Sequence, residues 1–317
     1  MKPGASVTDV TAGAVAATLA AVLTPPFLRK LDRLHLAVRR SLSTRPGNTP
    51  MPRGAQGSGI EIESYKSYDA GDDLRHLDWN AYGRLDQLLI KTFRAEREAP
   101  LHIFVDVSAS MSVPDGDNKM GFAAGMAACL AYVSLRNHDP VRIVAIGDAL
   151  PELHVSSPFF RHRQSLQQIR TFLLQLRPAG RTALAAGIAA GLRRQRSPGV
   201  AIVVSDFLMA PSAYESALGD LVARRFTVAA VRVIGPGERD PASLFRRAQL
   251  VDAETGWRRF ITVNRHNLER YAVALGEHLR GLQAFCSRCG AMFSVADTAV
   301  GLERSLFYDL PALGLIH

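Results

Sequence analysis

The chain has 317 residues, enough for one large domain or two modest ones, and its apolar share of 47% and charged share of 21% exclude a disordered or collagen-like polymer. Three cysteines exclude a disulfide scaffold and suit a reducing compartment. The formal net charge of +9 is carried mostly by arginine, but in scattered pairs such as Arg193/Arg194 and Arg258/Arg259, with no long basic run and no nucleic-acid-binding motif, so no nucleic-acid partner is expected.

Residues 1–45 read as an N-terminal helical segment that Pro25-Pro26 interrupts or restarts. Within it, Val10 to Leu23 is apolar but short for a bilayer span, and its flanks do not make a signal peptide. A cytoplasmic location is expected, with any membrane contact made through a partner. Phe27, Leu28, Leu31, Leu34, Val38 and Leu42 recur at helical spacing, which predicts a stripe packed on the rest of the protein.

Residues 46–100 form a second segment. It opens on a loop rich in Gly and Pro, which begins at residue 43 and runs to 59. A strand is expected over Ile60 to Tyr65, a turn at Gly71, and another strand over Leu88 to Phe93. Asp72, Asp73, Arg75, Asp78 and Arg84 predict an ion-paired network. The alternative is a second metal site from the carboxylates at 69, 72, 73 and 78. Trp79 and Tyr82 read as anchors, and the segment is expected to pack its strands and Trp79 on the domain that follows.

From residue 101 to 317, apolar strands alternate with helices. Strands are expected at Leu101 to Asp106, Val141 to Ile146, Val200 to Val204, Phe226 to Val233 and Ala291 to Val295, with a short edge strand at Glu152 to Val155. Helices are expected at Lys119 to Leu135, Ser165 to Leu176, Ala183 to Arg194, Ala213 to Arg224, Asn264 to Phe285 and Leu302 to Leu310. Leu250 to Val263 reads as a hairpin turning at Glu254-Thr-Gly256. This alternation predicts an α/β fold, doubly wound around a mainly parallel sheet flanked by helices, with the N-terminal helix and the small β-containing extension attached. Cys286-Ser-Arg-Cys289 ends a helix and has no second pair, so it reads as two thiols one turn apart rather than a zinc site.

The chemistry gathers where two apolar strands end. Leu101 to Val105 runs into Asp106-x-Ser108-x-Ser110, and Val200 to Val204 runs into Ser205-Asp206. Ligands of open α/β sheets bind at the carboxyl ends of strands. Thr182 sits at the start of a helix after a Gly-Arg turn. Asp106, Ser108, Ser110, Thr182 and Asp206, from three separate strand-to-helix loops, therefore make a candidate site of hard oxygen ligands, suited to Mg²⁺ or to Mn²⁺ or Ca²⁺. Each also has a local role open to it, as a helix cap or a strand-end turn. The sequence has no Gly-x-Ser-x-Gly, no His-Glu-x-x-His and no Gly-x-x-x-x-Gly-Lys-[Ser/Thr], so no enzyme is expected.

This ordered set resembles the von Willebrand factor A-like fold with its metal-ion-dependent adhesion site, over roughly residues 100–300. The resemblance implies that Ser108, Ser110 and Thr182 ligate the metal while Asp106 and Asp206 complete its shell, and that a partner's carboxylate fills an open position. The block Tyr68-Asp-Ala-Gly-Asp-Asp-Leu-Arg-His-Leu-Asp-Trp79, with Gly57-Ser-Gly-Ile-Glu before it and Arg84 and Phe93-Arg-Ala-Glu-Arg-Glu98 after it, resembles the bacterial family called domain of unknown function 58. Ile62 and Tyr82-Gly83 depart from that family's pattern without touching the proposed shell. The resemblance implies an adaptor working with a MoxR-type AAA+ ATPase in chaperone-like assembly or maturation of a client that supplies the acidic residue. A metal-dependent hydrolase and a metal-free scaffold of the same fold are the alternatives.

Overall fold

A computed structural model describes residues 7–36, 62–69, 74, 77–93, 100–193, 198–241, 247–262 and 264–317. The chain divides into two compact units, Met1–Arg39 with Ala99–His317, and Arg40–Glu98. The loop expected over 43–59, the residues Val38, Leu42, Asp72, Asp73 and Arg75, and the charged stretch 94–98 lie outside the described residues.

In the smaller unit, β1 (Ile62–Ser67) pairs antiparallel with β2 (Leu89–Phe93). Between them lies α3 (Trp79–Leu85). Asp78 is its N-cap, accepting from the N–H groups of Asn80 at 3.0 Å and Ala81 at 3.2 Å. Trp79 meets Tyr82 edge-on, with ring centroids 6.4 Å apart.

The larger unit is built on a six-stranded sheet. Its strands are β3 (Leu101–Asp106), β4 (Val141–Ile146), β5 (His154–Ser156), β6 (Val200–Ser205), β7 (Thr227–Ile234) and β10 (Met292–Asp297), which follows the separate hairpin of β8 (Arg247–Val251) and β9 (Arg258–Thr262). The order is β10-β7-β6-β3-β4-β5, parallel throughout except for the antiparallel edge strand β5. Continuous apolar runs suit the central strands because helices cover both faces.

On one face, Leu101, Ile103 and Val105 of β3 share a core with α4 (Lys119–Arg136) and with α1 (Val7–Val22), which inserts Val15, Leu19 and Val22. α4 is buried from Lys119 to Leu135, as an all-round apolar helix must be. α5 (Leu166–Gln175) joins this face through Ile169 and Leu173. On the other face, Phe104 packs with Leu184 and Ile188 of α6 (Leu184–Gly191), Leu218 and Leu221 of α7 (Pro211–Ala223), and Leu282 and Cys286 of α9 (Arg265–Cys289). Between β7 and the hairpin lies the single turn α8 (Pro236–Arg239). Asn264 caps α9 as expected, accepting from the Asn267 N–H at 2.8 Å. Cys286 and Cys289 are free thiols in its last turn.

One expected helix is corrected. The N-terminal helix does not run through Leu34. It breaks after Val22, restarts as α2 (Pro25–Leu31) with proline at its first positions, and stops. Asp32 then accepts from the Tyr132 hydroxyl at 2.9 Å and Arg136 Nε at 3.1 Å, and Leu36 bridges antiparallel to Ile316. Tertiary partners thus end a helix that the periodicity would have continued. The closing helix expected over Leu302 to Leu310 is present and runs on to Ala312, with its middle, Ser305–Asp309, wound as a wider π turn between Leu302–Arg304 and Leu310–Ala312. Among the described residues no single helix is long and apolar enough to cross a membrane; only α1 and α2 together, bent by 69°, reach that length and composition.

Candidate cation site at the carboxyl edge

β3 and β6 lie side by side, with Val105 level with Val204, so Asp106 and Ser205-Asp206 emerge as neighbours. The chain leaves β3 for α4 on one face and β6 for α7 on the other. That divergence is the topological switch point, where an open sheet leaves a crevice.

Thr182 arrives differently from the expected strand-to-helix loop. It lies on the connection from α5 to α6, which crosses from one face of the sheet to the other over its carboxyl edge. Backbone bonds fix the crossing: Ala179 N–H to Val107 O at 2.9 Å, Ala109 N–H to Gly180 O at 2.9 Å, and Asp148 N–H to Arg181 O at 3.1 Å. The Asp148 carboxylate also accepts from the Arg181 N–H. Gly180 has φ +70°, and a Cβ there would lie 2.1 Å from Asp148 Oδ1, so glycine is required on both counts.

Asp106 is fully buried. Its Oδ1 accepts from the Ser108 N–H at 2.9 Å and its Oδ2 from the Ser205 hydroxyl at 2.6 Å. Above it, Ser108 Oγ and Ser110 Oγ lie 3.0 Å apart. Burial, then the negative charge of Asp206, push the Asp106 carboxyl up to about 6, against the hydrogen bonds from Ser205 and Ser108. Among the described residues no cation pairs with it.

Asp206 is provided for. Its Oδ2 lies 2.8 Å from Nζ of Lys119, which is 2% exposed, and its Oδ1 accepts from the Leu208 N–H at 3.2 Å. Lys119 also reaches Glu238 Oε2 at 3.3 Å. Burial alone would lower the Lys119 ammonium, but the charges of Asp206 and Glu238 outweigh it and hold it above its usual value. Arg232, fully buried, donates from Nη2 to Glu238 Oε1 at 2.9 Å and from Nε to the Asp206 carbonyl at 2.9 Å. Asp117 holds the Glu238 turn, accepting from the N–H groups of Gly237 at 2.9 Å and Glu238 at 3.1 Å. Asn118 and Phe207, beside these charges, have φ of 50° and 51°, a left-handed strain that clusters at built sites.

The edge therefore buries four carboxyl groups, on Asp106, Asp117, Asp206 and Glu238, against two cations, Lys119 and Arg232. Asp117 is met by two backbone N–H groups, and the other unbalanced carboxyl is Asp106, beneath two hydroxyls. Thr182 turns its hydroxyl to Glu254 Oε1 at 2.6 Å, and the donation leaves both lone pairs of Oγ1 able to face a cation. Asp106, Ser108 and Ser110 are drawn together by direct bonds, Thr182 is held on the adjoining loop, and Asp206 is tied to Lys119. Among the described residues no group of three or more His, Cys, Asp or Glu side chains is arranged to hold a metal. A cation here would rest on hydroxyls, a donor set that suits a hard ion.

Sequence reasoning did not reach Lys119, Glu238, Arg232 or Glu254. Two of them left a trace: Arg232 interrupts the apolar run of Val228 to Ile234, and Lys119 opens a helix that is apolar from Met120 to Val133. A charge in such a place needs a buried partner.

The family described as Protein of unknown function DUF58 matches residues 64–279. Uncharacterized proteins of Mycobacterium tuberculosis and Mycobacterium bovis are 27% identical over 238 residues, 74% of this chain and 74% of theirs. Among solved structures, the conserved hypothetical protein BatB from Bacteroides thetaiotaomicron aligns over 68% of this chain and 95% of its own, at 14% identity and a TM-score of 0.42. The pilus adhesin SpaC from Lactobacillus rhamnosus GG aligns over 70% of this chain and 32% of its own, at 13% identity and a TM-score of 0.44.

Proposed function

This chain belongs to the DUF58 family, and on that premise we propose that it is a metal-dependent protein-binding adaptor of von Willebrand factor A-like fold. Ser108, Ser110 and Thr182 hold Mg²⁺, or Mn²⁺ or Ca²⁺, directly, in the manner of a metal-ion-dependent adhesion site, with Asp106 beneath and Asp206 at the margin. One observation carries the reading: a buried carboxylate, Asp106, without a cation among the described residues, under two serine hydroxyls 3.0 Å apart at the switch point of the sheet. A shell rich in neutral hydroxyls leaves the ion electrophilic, so it takes an acidic side chain from a client. The sequence carries no P-loop of its own, which suits work beside a MoxR-type AAA+ ATPase in assembly or maturation of that client in the cytoplasm.

A metal-free scaffold has one observation in its favour: the Lys119 ammonium already neutralises Asp206. Calorimetric titration of Mg²⁺ and Mn²⁺ separates the two. The adaptor reading expects one saturable site in the wild type, lost in Asp106→Asn/Ser108→Ala while the fold stays intact by circular dichroism. Heats that are equal and unsaturable in both proteins leave the scaffold.

A further inference from the structure

Among the described residues the hairpin of β8 and β9 pairs with no strand of the central sheet. Its tip is nonetheless tightly built. Asp252 Oδ1 accepts from the N–H groups of Glu254 at 2.9 Å and Thr255 at 3.0 Å, the Gly256 N–H bonds to Asp252 O at 2.8 Å, and Gly256 takes φ +70° to close the turn. Those backbone donors, with the Arg181 charge adding, hold the Asp252 carboxyl below its usual range. Arg181 precedes Thr182, so this second observation also puts the tip beside the loop that carries the candidate ligand.

At the tip Asp252, Ala253, Thr255 and Gly256 are exposed or nearly so, whereas Glu254 is half-buried. It is directed inward, and its Oε1 accepts from the Thr182 hydroxyl at 2.6 Å, a short, charge-assisted bond. A carboxylate this close to a candidate ligand oxygen is within reach of any cation that Thr182 helps to hold. It also has the chemistry that such a cation needs, a hard anionic oxygen to complete a shell of hydroxyls.

We infer that Glu254 is the chain's own carboxylate for the Ser108/Ser110/Thr182 site, carried there by the β8–β9 hairpin and displaced when a partner's acidic side chain takes its place. This rests on the cation-site reading above. A two-stranded hairpin outside the main sheet has little stability of its own, so it can leave the edge as a unit. The hairpin then acts as a built-in competitor: it protects the loaded site and sets how acidic a partner must be to displace it.

The test uses the full chain, Mn²⁺ as the probe and water-proton relaxation as the readout, on wild type, Glu254→Ala, Glu254→Gln and Asp106→Asn. The expected result is Mn²⁺ binding in the wild type, weakened about tenfold in both Glu254 variants, in line with affinity tracking ligand charge. Bound-Mn²⁺ relaxivity rises in both because water enters the position Glu254 leaves. Acetate then lowers that relaxivity in Glu254→Ala and not in the wild type. Equal affinity and relaxivity in wild type and both Glu254 variants overturns the inference and leaves the cation site standing, provided Asp106→Asn still abolishes binding. Wild-type behaviour in Glu254→Gln with loss only in Glu254→Ala also overturns it, since Gln keeps the hydrogen bond to Thr182 and loses the charge. Absence of saturable Mn²⁺ binding in all four proteins overturns both readings together.

Discussion

The two ends of β3 bury ionisable groups in opposite ways. At its start His102 is fully buried, and among the described residues neither ring nitrogen has a hydrogen-bond partner. It stacks on Phe104 and meets Phe159 and Phe226 edge-on at 5.4 Å. At its end Asp106 is equally buried but has two donors, two hydroxyls above it and an ion-paired network beside it. One strand thus carries a polar group that only costs stability and another that a whole edge has been built to receive. Burial alone does not mark a site; the company a buried charge keeps does.

The sharpest way to break the comparison is at Lys119. Lys119→Met keeps the length of the side chain and leaves Asp206 and Glu238 buried with one cation fewer, which is expected to cost about 3–5 kcal/mol in urea unfolding. An unchanged midpoint would mean that the carboxylates neutralise themselves and that the network is not charge-balanced by Lys119.

The amino end gives the next largest effect. Burial first, and then the Arg142 charge, lower the His102 imidazole to about 4. The folded state therefore refuses a proton that the unfolded chain accepts below its ordinary value near 6.5. The wild type loses stability as pH falls from about 6.5 to about 4, by on the order of 3 kcal/mol from this group. Asp106 runs the other way, its raised value making ionisation the costly state, so the clean quantity is the difference from His102→Leu. That difference in unfolding free energy is expected to shift against the wild type across the window; a constant difference would mean that the folded imidazole titrates normally.

Ser205→Ala sharpens the carboxyl end most gently. It removes the 2.6 Å donor to Asp106 and the acceptor of the Phe207 N–H, at an expected cost of about 2 kcal/mol by thermal unfolding.

Much of this was legible in the chain. Leu101 to Val105 and Val200 to Val204 are apolar runs whose length and endings identify central strands, and the polar residues that follow them are displayed at the ligand-binding edge by topology alone. Asn264 announced α9 as its cap. What escaped was contact between distant stretches. Lys119 meets Asp206 across 87 residues and Thr182 meets Glu254 across 72, and neither spacing has a period to betray it. The sequence places Thr182 at the edge but on a strand-to-helix loop, whereas the antiparallel edge strand β5 sends the chain through two successive helices before it returns to the sheet. The helix stops at Leu31 for the same reason: periodicity speaks for the amphipathic stripe, whereas Asp32 and Leu36 answer to Tyr132, Arg136 and Ile316.

The central claim is that a hard cation rests on the hydroxyls over Asp106, and the most direct measurement is an anomalous difference map from crystals of the protein soaked in Mn²⁺. The account predicts one strong peak at ligand distance from Ser108 Oγ and Ser110 Oγ. No peak there at saturating Mn²⁺, or a peak only at surface carboxylates, would contradict it.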